Sequence, residues 1–190
     1  MTFVVFEGID RSGKSTQCQL LYEALEQKGL MVKKIRYPDR NCPVTGKLIN
    51  DYLGKQIELV PEAASLILLA NLWQMKETLN RNDEILLMDR YIWSNVAYSA
   101  ARSMSSEIFE KLAEGLPEPD LIVYLDADPQ KVQRRSEYGS ERFDRVEFQI
   151  RVKNEMEKLA RGSNVLRIDA EKNQEDIHTE LLAFFTIKLL

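Results

Sequence analysis

Residues 8–15 read Gly8-Ile9-Asp10-Arg11-Ser12-Gly13-Lys14-Ser15, which satisfies GxxxxGK[ST] at every fixed position. The run lies between a short apolar stretch, Phe3 to Phe6, and a helix-period segment, 14–28. That placement constrains the fold more than any other feature, because such a loop works only between a strand end and a helix start. Its backbone N–H groups then face phosphate oxygens, the helix adds the positive end of its dipole, and glycine allows the close approach. Gly8, Ser12, Gly13, Lys14, Ser15 and Thr16 are therefore expected to hold a nucleoside triphosphate, with Lys14 at the β and γ phosphates and the Ser15 hydroxyl on Mg²⁺. With Gly near 7% of residues, four fixed positions recur by chance in roughly one chain in a hundred of this length. The strand-to-helix context lowers that chance further.

Along the rest of the chain, short β-branched or aromatic runs alternate with longer helix-period segments, the pattern of a parallel sheet covered by helices. The expected strands are Phe3 to Phe6, Val32 to Tyr37, Ile85 to Met88, Leu121 to Leu125 and Val165 to Ile168. The expected helices span 14–28, 61–80, 145–161 and 174–189. In the first, Cys18, Leu21 and Leu25 form an apolar stripe that Gly29 terminates. Pro61 suits the first turn of the second, whose run Ala63 to Trp73 is apolar almost all round and reads as a core helix or a subunit interface. The fold class is α/β: a P-loop NTPase fold with a five-stranded parallel sheet, helices on both faces and a short lid.

Composition narrows the setting. At 190 residues, with 8 Gly and 6 Pro scattered and no repeat or low-complexity tract, the chain reads as a single domain over 1–190. Its 26 Lys and Arg against 30 Asp and Glu give a net charge of -4, which argues against nucleic-acid binding over a broad surface. Cys18 and Cys42 have no CxxC spacing, so neither a disulfide framework nor a zinc site is expected. The opening MTFVVFEGID lacks a signal-peptide pattern, and no apolar run reaches the ~18 residues of a membrane span. A cytosolic enzyme is the expectation.

The loop alone does not name a reaction, since GTPases, motors and small kinases share it. Asp10 and Arg11 are charged where many such loops carry small residues. An arginine there can reach a transferring phosphoryl group in cis, a contribution worth ~10³ to 10⁵ in rate; the bland alternative is a solvated pair. In ILLMDRY, Asp89 stands at a strand end where a carboxylate can hold Mg²⁺, with Arg90 next to it. Arg40, after Pro38-Asp39, closes the second strand region in a similar way, so Arg40 and Arg90 can converge on one phosphate. Two loop arginines in solvent remain the alternative. The charged run Gln133 to Phe143 reads as a flap that excludes water from the phosphates, or as a solvated helix end. His178 reads as a surface or capping residue.

Taken together, these segments resemble the thymidylate kinase family. The resemblance runs in order from FVVFEGIDRSGKSTQ through PDR, ANLW, DRYIWSNVAYSAA and GLPEPDLIVYLDADP to SERFDRVEFQ, nearly the whole chain. It implies transfer of the γ-phosphoryl of ATP to dTMP, giving dTDP and ADP, with Mg²⁺, on a P-loop fold that dimerises through helices, here helix 61–80. By the same resemblance, Lys14 and Ser15 with the loop amides serve ATP, Arg11 is the catalytic cation, and Asp10 engages the sugar 3′-hydroxyl. Arg40 and Arg90 are implied to clamp the dTMP phosphate, Asp89 to stand on the metal side, and Tyr98 to fill the space of a 2′-hydroxyl. Ser94, Asn95 and Gln149 match positions touching base or sugar, Arg135 one that stacks on adenine, 173–177 the loop closing the adenine site, and about 134–146 the lid.

Three positions depart from the family pattern. Leu68 and Leu72 stand where Phe and Arg are common around thymine, and Phe143 where Tyr is common. A hydrogen bond to a charged group is worth ~1.5 to 3 kcal/mol, so thymine affinity falls about tenfold or more unless Asn95 or another group compensates. The alternatives are a kinase of another pyrimidine monophosphate, such as dUMP or dCMP, and a non-catalytic nucleotide-binding module. Arg40, Arg90 and Tyr98 argue against the latter, because a sensor has no use for a second phosphate clamp.

Overall fold

A computed structural model describes residues 2–80, 84–132 and 142–189. In chain order its elements are β1 (Thr2–Glu7), α1 (Lys14–Gln27), β2 (Val32–Arg36), α2 (Gly46–Leu53), α3 (Pro61–Gln74), α4 (Lys76–Leu79) and β3 (Ile85–Asp89). There follow α5 (Ile92–Ala100), α6 (Ser106–Leu112), β4 (Leu121–Asp126), α7 (Pro129–Val132), α8 (Val146–Leu159), β5 (Val165–Asp169) and α9 (Gln174–Leu189). The five strands pair in parallel in the order β2-β3-β1-β4-β5. The chain therefore switches sides of β1 between β3 and β4, and ligands in such sheets bind beyond the strand ends at that switch.

Both faces of the sheet are covered, and β1 shows how. Val4 and Phe6 belong to one buried cluster, with Leu21 and Leu25 of α1, Val152 and Met156 of α8, and Leu181 and Phe185 of α9. Phe3 and Val5, their side chains on the opposite face, join Leu69 and Leu72 of α3, Leu79 of α4 and Phe109 of α6. A strand buried on both faces reads as a continuous apolar run rather than an alternating one. FVVF is such a run, and β3 repeats it with Leu87 on one side and Leu86 and Met88 on the other.

Six strand ends shift by one residue each from the expected bounds, and one helix differs in kind. The expected helix 61–80 is two helices, because the Met75 N–H bonds to the Leu72 carbonyl at 3.0 Å, three residues back, and ends α3. That tight closing turn lets Met75 and Leu79 both enter the core over the sheet. The run Ala63 to Trp73 is also less uniform than its composition: Ala64, Ser65, Leu69, Asn71 and Leu72 are buried, whereas Leu66 and Ala70 are exposed. The core alternative thus holds for one face of α3. Cys18 is fully buried, as expected. Among the described residues no helix is long and apolar enough to cross a membrane.

Candidate active site

The loop between β1 and α1 has the conformation its glycines permit. A Cβ on Gly8, at φ +147°, would lie 2.6 Å from the Leu125 carbonyl oxygen, so no larger residue fits against β4. Gly13, at φ +99°, has open space around it and is required for its backbone alone. Gly13 caps α1. Lys14 folds back over the loop, its Nζ donating to the Ile9 carbonyl and, at 3.3 Å, to Ser12 Oγ. Burial lowers the Lys14 ammonium to a pKa of about 7, with Arg90 adding to the effect and Asp89, Asp10 and Glu7 opposing it. Ser15 and Thr16 are exposed at the start of α1.

At the end of β3, Asp89 is nearly buried and accepts a hydrogen bond from Ser15 Oγ at 2.5 Å on Oδ2. Its Oδ1 is buried without a hydrogen-bond partner among the described residues. One orphaned carboxylate oxygen beside a serine hydroxyl at a phosphate loop is a donor set that suits a Mg²⁺ ion, which takes its other ligands from water and phosphate. No group of three acidic, histidine or cysteine side chains among the described residues offers an alternative metal site.

A cavity opens beside the loop. It is lined by Asp10 of the loop, by Arg36, Tyr37, Pro38 and Arg40 around the end of β2, and by Arg90, Ser94, Asn95, Tyr98 and Arg102 of the β3–α5 segment. Leu53, Leu68 and Phe143 supply its apolar wall. Arg40 and Arg90 therefore face one cavity. Arg36 and Arg102 stand there as well, neither of which the sequence singled out, so among the described residues four guanidinium groups share this space with one carboxylate.

Hydrogen bonds join the cavity to the loop. Arg90 donates from Nη1 to the Gly8 carbonyl at 3.3 Å and to Ser94 Oγ at 3.0 Å, and from Nη2 to Asp10 Oδ1. Gln149, buried on α8, accepts from the Asp10 N–H at 3.0 Å and donates to Asp10 Oδ2 at 2.7 Å. The Gln149 amide nitrogen also reaches the Tyr98 hydroxyl at 3.3 Å and the Phe143 carbonyl at 3.0 Å. The Tyr98 ring is packed by the Phe143 and Phe148 rings at 5.6 and 5.9 Å, and the Arg90 guanidinium lies 5.5 Å from its centroid. Burial holds the Tyr98 hydroxyl well above its usual range, so it remains protonated.

Asn95 donates to the Tyr37 hydroxyl at 3.1 Å and to the Ser65 carbonyl at 3.3 Å, leaving its buried Oδ1 unpartnered among the described residues. Arg102 is bonded to neutral groups: the Tyr98 carbonyl at 3.1 Å, the Tyr52 hydroxyl at 3.2 Å and Ser65 Oγ. Burial pulls its pKa below the ordinary value, tempered by Tyr52. Of the two leucines that depart from the family pattern, Leu68 lines the cavity and Leu72 is fully buried in the core.

Asn71 holds the segment that carries Arg40. Buried on α3, it accepts from the Asp39 N–H at 2.8 Å and donates to the Asp39 carbonyl at 2.9 Å and to Thr45 Oγ1 at 2.8 Å. Asn71 and Ser65, the two polar residues in the run Ala63 to Trp73, were the available signal: a polar side chain on an apolar face is kept for a partner. Near the expected adenine loop, Gln17 Nε2 donates to the Gln174 carbonyl at 2.9 Å, and Asn173 caps α9 through the Asp176 N–H at 2.8 Å. Arg135 and the expected lid up to residue 141 lie outside the described residues.

A family model described as thymidylate kinase matches residues 6–181. A thymidylate kinase of Schizosaccharomyces pombe is 35% identical over 188 residues, covering 94% of this chain and 89% of that protein. One of Danio rerio is 36% identical over 184 residues, covering 94% of this chain and 86% of its own. Among solved structures, a Candida albicans thymidylate kinase for which broad substrate specificity is described superposes with a TM-score of 0.85 at 29% identity, covering 98% of this chain and 91% of that one.

Proposed function

The chain belongs to the thymidylate kinase family, and from that premise we propose how its own residues transfer the γ-phosphoryl of ATP to dTMP. The observation that carries the assignment is the joining of the loop 8–15 to the arginine-lined cavity: Asp10 belongs to both, and Arg90 of the cavity donates to Gly8 and Asp10 of the loop, which supports a meeting of donor and acceptor phosphates there. ATP binds with its phosphates on Gly8, Ser12, Gly13, Lys14, Ser15 and Thr16, and Arg135 serves the adenine. The dTMP phosphate lies between Arg40 and Arg90, and Arg36 lines the same cavity. An oxygen of that phosphate attacks Pγ in line, a new O–P bond forms, and the bond to the bridging oxygen breaks as ADP leaves. No protein base is needed, because the acceptor is already an anion and catalysis is positioning and charge neutralisation. Arg11 and Lys14 meet the charge that develops on the transferring group.

Mg²⁺ is part of the proposal, held by Ser15 and Asp89; when bound, it neutralises phosphate charge and orients the donor. Asp10 holds the sugar 3′-hydroxyl while Arg90 and Gln149 fix its carboxylate. Tyr98, supported by Gln149, occupies the space of a 2′-hydroxyl. Asn95 lines the same cavity, and its Oδ1, unpartnered among the described residues, is an acceptor for an N3–H, which thymine and uracil carry and cytosine lacks. That favours dTMP and dUMP over dCMP, and Leu53 and Leu68 offer the 5-methyl group an apolar wall.

The reading extends to a single kinase domain over 1–190 with a lid at about 134–146, and to a homodimer through the 61–80 region. Exposed Leu66 on α3, with Ile108 and Leu112 on α6, supports the dimer, and light scattering that returned a monomer at micromolar concentration would remove it. Two free, buried cysteines suit the cytoplasmic location proposed for it. The central test is a coupled ADP-release assay with dTMP, dUMP and dCMP as acceptors. The expected order is dTMP first and dCMP last, and a best substrate other than dTMP overturns the acceptor assignment.

A further inference from the structure

Glu7 ends β1 immediately before the loop, with no exposure to solvent. Burying a carboxylate is costly unless its oxygens are hydrogen-bonded, and this one collects three donors. Oε1 accepts from the Tyr91 N–H at 2.8 Å and the Ser94 N–H at 3.1 Å, and Oε2 accepts from the Ser94 hydroxyl at 2.6 Å. All three come from the short stretch that begins one residue after Arg90. Burial pushes the Glu7 carboxyl upward, while the Ser94 hydroxyl, Arg90 and the two amides pull it back towards the ionised form.

We propose that Glu7 is the positioning residue of the acceptor-phosphate clamp, acting on Arg90 through the Ser94 hydroxyl and through the backbone at Tyr91. The inference rests on the reading of Arg90 as part of that clamp. Two physical arguments carry it. A serine hydroxyl has one proton, and here it goes to Glu7, so the oxygen lone pairs are what remains for Arg90, whose Nη1 donates to Ser94 Oγ at 3.0 Å. Without an acceptor at Glu7 the hydroxyl is free to turn its proton towards the guanidinium and repel it. The second argument is conformational. Arg90 is a non-glycine residue at φ +71°, a sparsely populated region that persists only where the surroundings impose it. Its own N–H bonds to the Phe6 carbonyl at 2.9 Å and the next N–H to Glu7, so consecutive residues of β1 hold it on both sides.

An ordinary helix cap on α5 would also explain the two amide contacts, and the test separates the roles. Glu7→Gln retains the shape but replaces one acceptor oxygen with an N–H donor facing Ser94 Oγ. In the full-length enzyme it is expected to raise the KM for dTMP about tenfold or more, the size of a lost hydrogen bond to a charged group, and to leave the KM for ATP unchanged. Ser94→Ala is expected to shift the same constant, and the double variant to be no worse than the more affected single variant, since both changes cut one path. A fall in melting temperature with both KM values unchanged, an equal shift in both, or an additive double variant overturns the proposal. If Glu7→Gln does not fold, Ser94→Ala decides alone, and an unchanged dTMP KM in it overturns the proposal. Arg90→Ala is the control: if it leaves the dTMP KM unchanged, the clamp reading fails, and the role of Glu7 with it.

Discussion

Arg11 Nη2 lies 3.2 Å from Oδ2 of Asp144, a nearly buried carboxylate at the start of the segment that leads into α8. Arg11 of the phosphate loop is thus held by the C-terminal end of the expected lid region, and its backbone sits at φ +63°. If Arg11 supplies charge to the transferring phosphoryl group, Arg11→Ala lowers kcat by about 10³ and changes ATP affinity little, because the contact strengthens only in the transition state. Single-turnover kinetics beside equilibrium ATP binding check this, and unchanged turnover removes Arg11 from the mechanism.

Lys14 gives a proton-linked prediction. Its pKa is lowered by burial to about 7 in the free protein, and triphosphate at the loop returns it towards its ordinary range. At pH 8 the free amine is mostly neutral and the bound form charged, so ATP binding takes up a proton. Titration calorimetry in buffers of differing ionisation enthalpy measures this uptake, which shrinks below pH 7. The sign for stability agrees: between the folded value of about 7 and the ordinary 10.5, the unfolded chain binds more protons at this site, so its contribution to stability rises with pH.

Tyr98 is braced by Phe143, Phe148 and Arg90, which leaves its ring little freedom to yield to a larger sugar. Tyr98→Ala is expected to narrow the preference for dUMP over UMP, and Tyr98→Phe to retain it while losing the contact with Gln149. The ratio of kcat/KM for the two acceptors reports both outcomes. An unaltered ratio in the alanine variant shows that the ring does not select the sugar.

Leu68 and Leu72 differ by one turn and by environment, with consequences that separate in assay. Leu72→Ala empties a fully buried site and is expected to cost about 2 to 5 kcal/mol in denaturant unfolding. Leu68→Ala, at the cavity wall, is expected to act mainly on the acceptor KM. If the two variants are equally destabilised with equal KM values, the division between core and pocket is wrong.

Much of the site is local and for that reason legible along the chain. The loop 8–15 is a contiguous motif whose function lies in its own backbone, and Asp89-Arg90 ends an apolar strand. Asn71 left a trace as a polar residue in an apolar run. Arg36, Arg102, Glu7 and Asp144 left none, because each is an ordinary charged residue until a partner far along the chain is placed beside it. Arg102 gains its meaning from Tyr52 and Ser65, and Asp144 from Arg11. The break at Met75 has no signature in the sequence for a related reason: helix periodicity continues through it, and the packing of Leu79 over the sheet settles where the turn restarts.

The sequence by itself determined the parallel α/β sheet, the phosphate-loop motif at the end of β1 and the pair Arg40 and Arg90 that line one cavity. Each of these follows from neighbouring residues and their periodicity. Only the tertiary structure decided that Arg36, Arg40, Arg90 and Arg102 face one cavity in a chain of net charge -4, that Leu68 lines it while Leu72 is buried in the core, and that Glu7 reaches Arg90 through Ser94. Those facts depend on pairings across the sheet, where the strand order β2-β3-β1-β4-β5 brings residues some 80 positions apart within hydrogen-bond distance. Local propensity contains no term for such distances.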